Sequence, residues 1–251
     1  MNLPVSPGVS EDTLLGGRVK LRQPEAGYRA AVDPVFLAAA VPAAIGDTVL
    51  DVGCGAGAAA LCLAARVAGI RVAGIDAQRD LVRLANDNIL LNGLSGRVGA
   101  MSGDLLHPPP RLEPGTFAHV MANPPHLVPG AATPPPDPGK AAATIEGEAD
   151  LAAWVRFAIT MVRAKGTVTF IHRAERLDLL LGLFAGRAGE IVLFPLWPGD
   201  GKPARRVIVR ARKGVATPLR LLPGLVVHDV GGGFTAAAEA VLRHAAPLAL
   251  A

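Results

Sequence analysis

Two stretches of the chain have residue types and spacing that could do chemistry. The first is Asp51-Val-Gly53-Cys-Gly55-Ala-Gly57, at the tip of the apolar run Thr48-Val-Leu-Asp-Val52. Glycines let a backbone approach a ligand and take positive φ. A helix starting at such a turn aims free N–H groups and its positive dipole end into the same space. Asp76 ends the next apolar run, where a carboxylate can accept both hydroxyls of a ribose. Ser102-Gly103-Asp104 follows the third run and puts an acid where it can meet an adenine amino group. Gly53-x-Gly55-x-x-Ala58 also fits the dinucleotide fingerprint, which keeps a nicotinamide-dependent dehydrogenase in view. Asp51 and Asp104 favour S-adenosylmethionine instead. An acid just before the glycines repels a pyrophosphate but suits a cationic amino acid moiety.

The second stretch is Met121-Ala122-Asn123-Pro124-Pro125-His126, at the end of the fourth apolar run. Two prolines cannot extend a helix or supply ladder donors, so this is a stiff loop at a strand end. Standing alone, Asn-Pro-Pro means a structural turn. After a fourth strand, downstream of a glycine-rich first turn, it marks the same crevice at the carboxyl ends of the strands.

The elements that must position these residues read as alternating strands and helices, the pattern of βαβ units. Strands are expected at 48–52, 70–75, 97–102, 117–122 and 167–171. Helices are expected at 56–67, 78–91, 148–163 and 173–184. Asn92-Gly93 supplies the stop of the second. Segments 191–196 and 207–212 suit a closing antiparallel pair, and 234–244 a last helix. The expected fold class is α/β, a Rossmann-like, doubly wound and mostly parallel seven-stranded sheet with an antiparallel last strand. Residues 1–46 form a segment capping cofactor and substrate, 47–214 the core, and 215–251 an extension packed on it. Gly231-Gly-Gly233 reads as a flexible hinge.

Composition narrows the class. The 251 residues are 51% hydrophobic and 18% charged, with two cysteines, which excludes a disordered chain and a disulfide scaffold. No Cys/His set has metal-ligand spacing, so no metal site is expected. Five further histidines, His107, His119, His172, His228 and His244, are scattered and read as structural or solvated. No P-loop or Gly-x-Ser-x-Gly occurs. The longest stretch free of Asp, Glu, Lys and Arg runs from Pro114 to Pro136 and is broken by prolines, and residues 1–12 show no signal-peptide pattern. The expected location is the cytoplasm. The net charge of +4 is uneven: residues 1–150 hold 11 Lys/Arg against 15 Asp/Glu, and residues 151–251 hold 14 against 6. Six of those 14 cations lie within 202–213. Such a cluster suits a polyanion, and equally a solvated edge strand.

The Asn-Pro-Pro segment resembles the amino-methyltransferases whose fourth strand ends in Asn/Asp-Pro-Pro-aromatic. These methylate the planar exocyclic nitrogen of a base or a glutamine amide. Such a nitrogen has a delocalised lone pair. The Asn123 side-chain oxygen and the Pro124 carbonyl can each accept one of its N–H groups, freeing the lone pair for attack on a sulfonium methyl. His126 stands where that family usually has Tyr or Phe to stack on the target base, and is the smaller ring.

Nearly the whole chain, roughly 12–245, is similar to the tRNA1(Val) adenine-N6-methyltransferase family. The likeness rests on Gln23…Gly27-Tyr28-Arg29…Asp33 with the following Leu-Ala-Ala, on the run from Glu148 through Trp154 to Ile171-His172, and on Pro203 to Gly214. It implies S-adenosylmethionine as cofactor and tRNA as partner, with the methyl group going to adenine N6. It implies Asn123, Pro124, Pro125 and His126 as catalytic residues, and Asp51, Gly53, Gly55, Gly57, Asp76 and Asp104 as cofactor ligands. By matching position Arg29 and Asp33 line the donor site, with Gln23 and Tyr28 as weaker candidates. Arg205, Arg206, Arg210 and Arg212 would contact RNA phosphates. The Pro-rich stretch after His126 is expected to cover the pocket. Methylation of a protein glutamine or a small amine, and a non-catalytic cofactor-binding RNA partner, remain the alternatives. With ten aromatic residues in the chain, no stacking platform is visible, so a target base would be extruded into one small pocket.

Overall fold

The computed structural model describes residues 8–26, 29–125 and 149–250. The Pro-rich stretch, His126 and Tyr28 lie outside the described residues.

The chain opens with an antiparallel hairpin, β1 (Val9–Leu14) and β2 (Val19–Pro24), followed by α1 (Asp33–Ala40). Then come β3 (Thr48–Val52), α2 (Ala58–Arg66), β4 (Arg71–Asp76), α3 (Arg79–Leu91) and β5 (Val98–Ser102). The second half holds β6 (Phe117–Ala122), α4 (Leu151–Met161), β7 (Val162–Arg173), α5 (Leu177–Phe184), β8 (Ala188–Trp197) and β9 (Arg206–Lys213). Two short strands, β10 (Arg220–Leu221) and β11 (Leu225–Val226), and α6 (Ala236–Leu242) close it.

Strand order is β10-β8-β9-β7-β6-β3-β4-β5, with β11 also on β8. From β7 to β5 every pairing is parallel, and β9 is antiparallel to both β7 and β8. This is the mixed, mostly parallel Rossmann-like sheet expected, widened from seven strands to nine by β10 and β11. Strand order reverses between β3 and β6, and a crevice opens at such a switch point. Strands with apolar residues on both sides, such as Val49, Leu50 and Val52, are sandwiched. One face packs against α1, α2 and α6 around Phe36, Leu61 and Ile208, and the other against α4 and α5 around Phe157, Phe170 and Phe184.

Three local features differ from expectation. The strand expected at 167–171 begins at Val162, directly after α4, because the chain turns extended at the helix end (Val162 ψ 139°). Helix α4 starts at Leu151, capped by the Asp150 carboxylate, which accepts the Ala153 N–H at 2.8 Å. The glycines at 231–233 form a closed turn rather than a hinge. Asp229 accepts the Gly233 N–H through its side chain at 3.1 Å, and His228 stacks on Phe234.

Candidate active site

A pocket of about 400 Å³ lies at the carboxyl ends of β3, β4, β5 and β6. Asp51, Gly53, Gly55, Asp76, Asp104, Asn123 and Pro125, separated in sequence, all line it. The glycine-rich turn is pinned to the end of β4. Gly53 and Cys54 N–H groups donate to the Ile75 carbonyl at 2.8 and 3.1 Å. Gly53, Gly55 and Gly57 all have positive φ. At Gly55 the space a Cβ would enter is empty, so the backbone itself faces the pocket. At Gly53 a Cβ would lie 2.4 Å from the Trp154 ring, so only glycine fits. Gly57 is not among the lining residues; it is the left-handed N-cap of α2 and packs on Ala85.

The electrostatics of the pocket are one-sided. Asp51, Asp76 and Asp104 line it, and no lysine or arginine does among the described residues. Burial pushes the Asp51 carboxyl up to about 8; the Ala60 N–H works against this and the charge of Asp76 adds to it. Asp51 is 2% exposed, and its Oδ2 has no hydrogen-bond partner. Burial also raises Asp76, opposed by the N–H groups of Gln78 and Gly55. Asp104 is held below the usual carboxylate range by the Leu106 N–H, with His107 helping across 3.2 Å. A buried acceptor without a partner costs free energy that a donor or cation would recover. This set of acceptors fits a cationic ligand such as S-adenosylmethionine and does not fit a pyrophosphate.

Several lining residues carry no motif in the sequence. Pro24 from β2, with Ala30, Pro34 and Leu37, lines the pocket, as does Gln23, which the resemblance offers as a weaker candidate. Trp154 of α4 lies against Gly53 of the glycine turn and lines the pocket with Asn123 and Pro125. Its own signal was being one of two tryptophans in the chain. Leu105 and Leu106 extend the wall beside Asp104.

Arg29 and Asp33 are not among the lining residues. Arg29 donates to Asp12, to Ser10 Oγ and to the Pro24 carbonyl, so it ties the hairpin to the chain entering α1. Asp33 pairs with Arg206 at 2.8 Å. Pro124, between Asn123 and Pro125, is buried and is not among the lining residues.

The four arginines do not form one patch. Arg206 pairs in register with Arg173, at the pocket end of the sheet, and Arg212 pairs with Thr167 near the opposite end. Six residues of strand separate them by roughly 20 Å. Arg210 donates to the Leu250 carbonyl, and Arg212 to the Lys165 carbonyl and to Glu190. Arg205 is exposed at the pocket end, as is Lys202. His119 also sits at the far end, with Thr167 on Nδ1 at 2.8 Å and Asp47 on Nε2 at 3.1 Å.

This sheet and pocket define a Rossmann-like methyltransferase fold. Residues 31–134, which hold α1, the glycine turn, Asp76, Asp104 and Asn123, match the family described as methyltransferase small domain. No curated protein matches the sequence. Among solved structures, a predicted O-methyltransferase from Agrobacterium tumefaciens is 23% identical, over 86% of this chain and 98% of that one, with a TM-score of 0.72. A tRNA (m1A58) methyltransferase from Aquifex aeolicus is 16% identical over 78% and 73%, with a TM-score of 0.56. Geranyl diphosphate C-methyltransferase from Streptomyces coelicolor, solved with S-adenosyl-L-homocysteine, is 14% identical over 72% and 78%, with a TM-score of 0.53. These likenesses establish the fold. No helix among the described residues is long and apolar enough to cross a membrane.

Proposed function

We propose that this protein is an S-adenosylmethionine-dependent methyltransferase acting on an exocyclic amine, with adenine N6 of a tRNA as the favoured acceptor. One observation carries the reading: Asn123 and the glycine-rich turn line the same pocket, beside three carboxylates. The cofactor supplies a methyl group made electrophilic by a sulfonium. Asp76 would accept the ribose hydroxyls, Asp104 the adenine amino group, and Asp51 would face the cationic amino acid end. Asn123 and the Pro124 carbonyl would accept the N–H groups of the acceptor amine and direct its lone pair. The work is positioning and electrostatics, with no covalent intermediate on the protein. Residues 1–46 would act as the cap of this site, 47–214 as its core and 215–251 as a packed extension.

A second reading, a glutamine amide or small amine as acceptor, is favoured by the internal engagement of Arg206, Arg210 and Arg212. Those contacts leave less basic surface for an RNA backbone. Incubation with methyl-labelled cofactor, followed by separate counting of tRNA, protein and small molecules, tests both. Label as N6-methyladenosine in tRNA supports the first, and label only in protein or small amines supports the second. No transfer to any of the three overturns the assignment as an enzyme.

A further inference from the structure

Helix α3 and its C-cap carry three asparagines, and each side-chain amide bonds both the N–H and the C=O of one strand residue. Asn86 Oδ1 accepts the Ala100 N–H at 3.2 Å while its Nδ2 donates to the Ala100 carbonyl at 3.1 Å. Asn88 does the same to Arg22, at 2.8 and 2.9 Å. Asn92 does it to Lys20, at 2.9 and 2.7 Å. Exchanging both bonds with one residue is what a strand does in an antiparallel ladder. The spacing permits it, since four residues of helix rise about 6 Å and two residues of strand about 6.8 Å. Asn88 and Asn92 therefore meet Arg22 and Lys20 in step. Asn86 points to the other flank and takes β5.

The hairpin β1–β2 forms its own two-stranded sheet. Asparagine amides thus take the place of a third strand along β2 and bind the hairpin to the body of the protein. Asn88 is fully buried, and its Nδ2 also donates to the Ala56 carbonyl at 2.9 Å. One amide therefore spans the glycine-rich turn and Arg22, and the following residues Gln23 and Pro24 line the same pocket as that turn.

We infer that Asn88 and Asn92 are positioning residues: they hold the β2 part of the pocket lining in place without touching what the pocket holds. The ligand arm of this inference rests on the methyl-donor reading; the structural arm does not. If the ladder fixes that lining, loosening it makes the binding-competent pocket a fraction of the population and lowers affinity by that fraction. The step after binding is untouched.

Hydrogen exchange on the ligand-free protein is the first test. In Asn92→Ala and Asn88→Ala the amides of Lys20 and Arg22, respectively, are expected to exchange at least about tenfold faster, with β3 and β6 unchanged. Calorimetry with S-adenosylmethionine is the second. The dissociation constant is expected to rise roughly tenfold while kcat at saturating cofactor holds. Asn92, only partly buried, keeps the test available if Asn88→Ala does not fold. Wild-type exchange rates in a folded variant overturn the inference, as does unchanged affinity with a loosened hairpin. Faster hairpin exchange in a protein whose wild type binds no S-adenosylmethionine supports the ladder and overturns the methyl-donor reading alone.

Discussion

The Asp76 carboxylate accepts the Gly55 N–H at 2.8 Å with one oxygen and the Gln78 N–H at 2.9 Å with the other. The acid at the tip of β4 thereby holds the glycine turn that follows β3. Its orientation is fixed before any ligand arrives, so no side-chain freedom is lost on binding.

Replacing Asp76 with Asn removes the charge and one acceptor. A hydrogen bond to a charged group contributes about 1.5–3 kcal/mol. The S-adenosylmethionine dissociation constant is therefore expected to rise by roughly ten- to a hundredfold, read by calorimetry. Unchanged affinity would remove Asp76 from the binding site.

Asn123→Ala separates binding from chemistry. Loss of one preorganised polar group at a reacting centre costs about 10²–10³ in turnover. Methyl transfer should fall by at least that much while calorimetry gives the wild-type affinity for the cofactor. Retained turnover would show that the amide does not orient the amine.

The Asp51 carboxyl, near 8 in the native state against an ordinary 3.8, holds a proton that the unfolded chain has released. Between roughly pH 4 and 8 the native state binds more protons, so the ligand-free protein loses stability as pH rises through that window. Asp76 shifts in the same direction. Thermal melts from pH 5 to 9 should show this decline, and Asp51→Asn should flatten it. A cationic ligand favours the ionised acid, so its affinity should rise over the same range.

Gly53→Ala places a methyl group against the Trp154 ring at a backbone φ of 69°. Overpacking costs about 1–3 kcal/mol, and the left-handed backbone about 1–2 kcal/mol more. At roughly 2–4 °C per kcal/mol for a domain of this size, the melting temperature falls accordingly. Trp154→Leu in the same chain should relieve the steric share and leave the backbone share.

If tRNA is the acceptor, exposed Arg205 should matter more than engaged Arg210. Removing one arginine that touches a phosphate makes the slope of log affinity against log salt shallower by about 0.9. Arg205→Ala is expected to show that change and Arg210→Ala to show none, in filter binding across a salt series.

The strands at 48–52 and 117–122 were legible because each is buried on both faces and flanked by turn residues. Asp51, Asp76 and Asn123 were legible for a related reason, since a polar group at the end of such a strand has few structural uses. The β1–β2 hairpin was not legible. Its sequence alternates weakly, and its outer edge is completed by Asn88 and Asn92, two side chains far along the chain. The boundary between α4 and β7 carries no Gly or Pro, so the apolar run from Met161 to Val162 gave no sign of where helix became strand. Trp154 and Leu37 were invisible as pocket residues because an apolar position in an element does not say which neighbour it faces, and Gln23 was named only by its matching position in the resemblance. The four arginines misled by proximity in sequence: along an extended strand, closeness in number becomes distance in space.

Trp154 has one more consequence. The chain has two indoles, and Trp197 stands apart with its Nε1 on the Pro223 carbonyl. In a Trp197→Phe background the remaining emission comes from a ring lying against the glycine turn, which makes ligand occupancy readable by light without any attached dye.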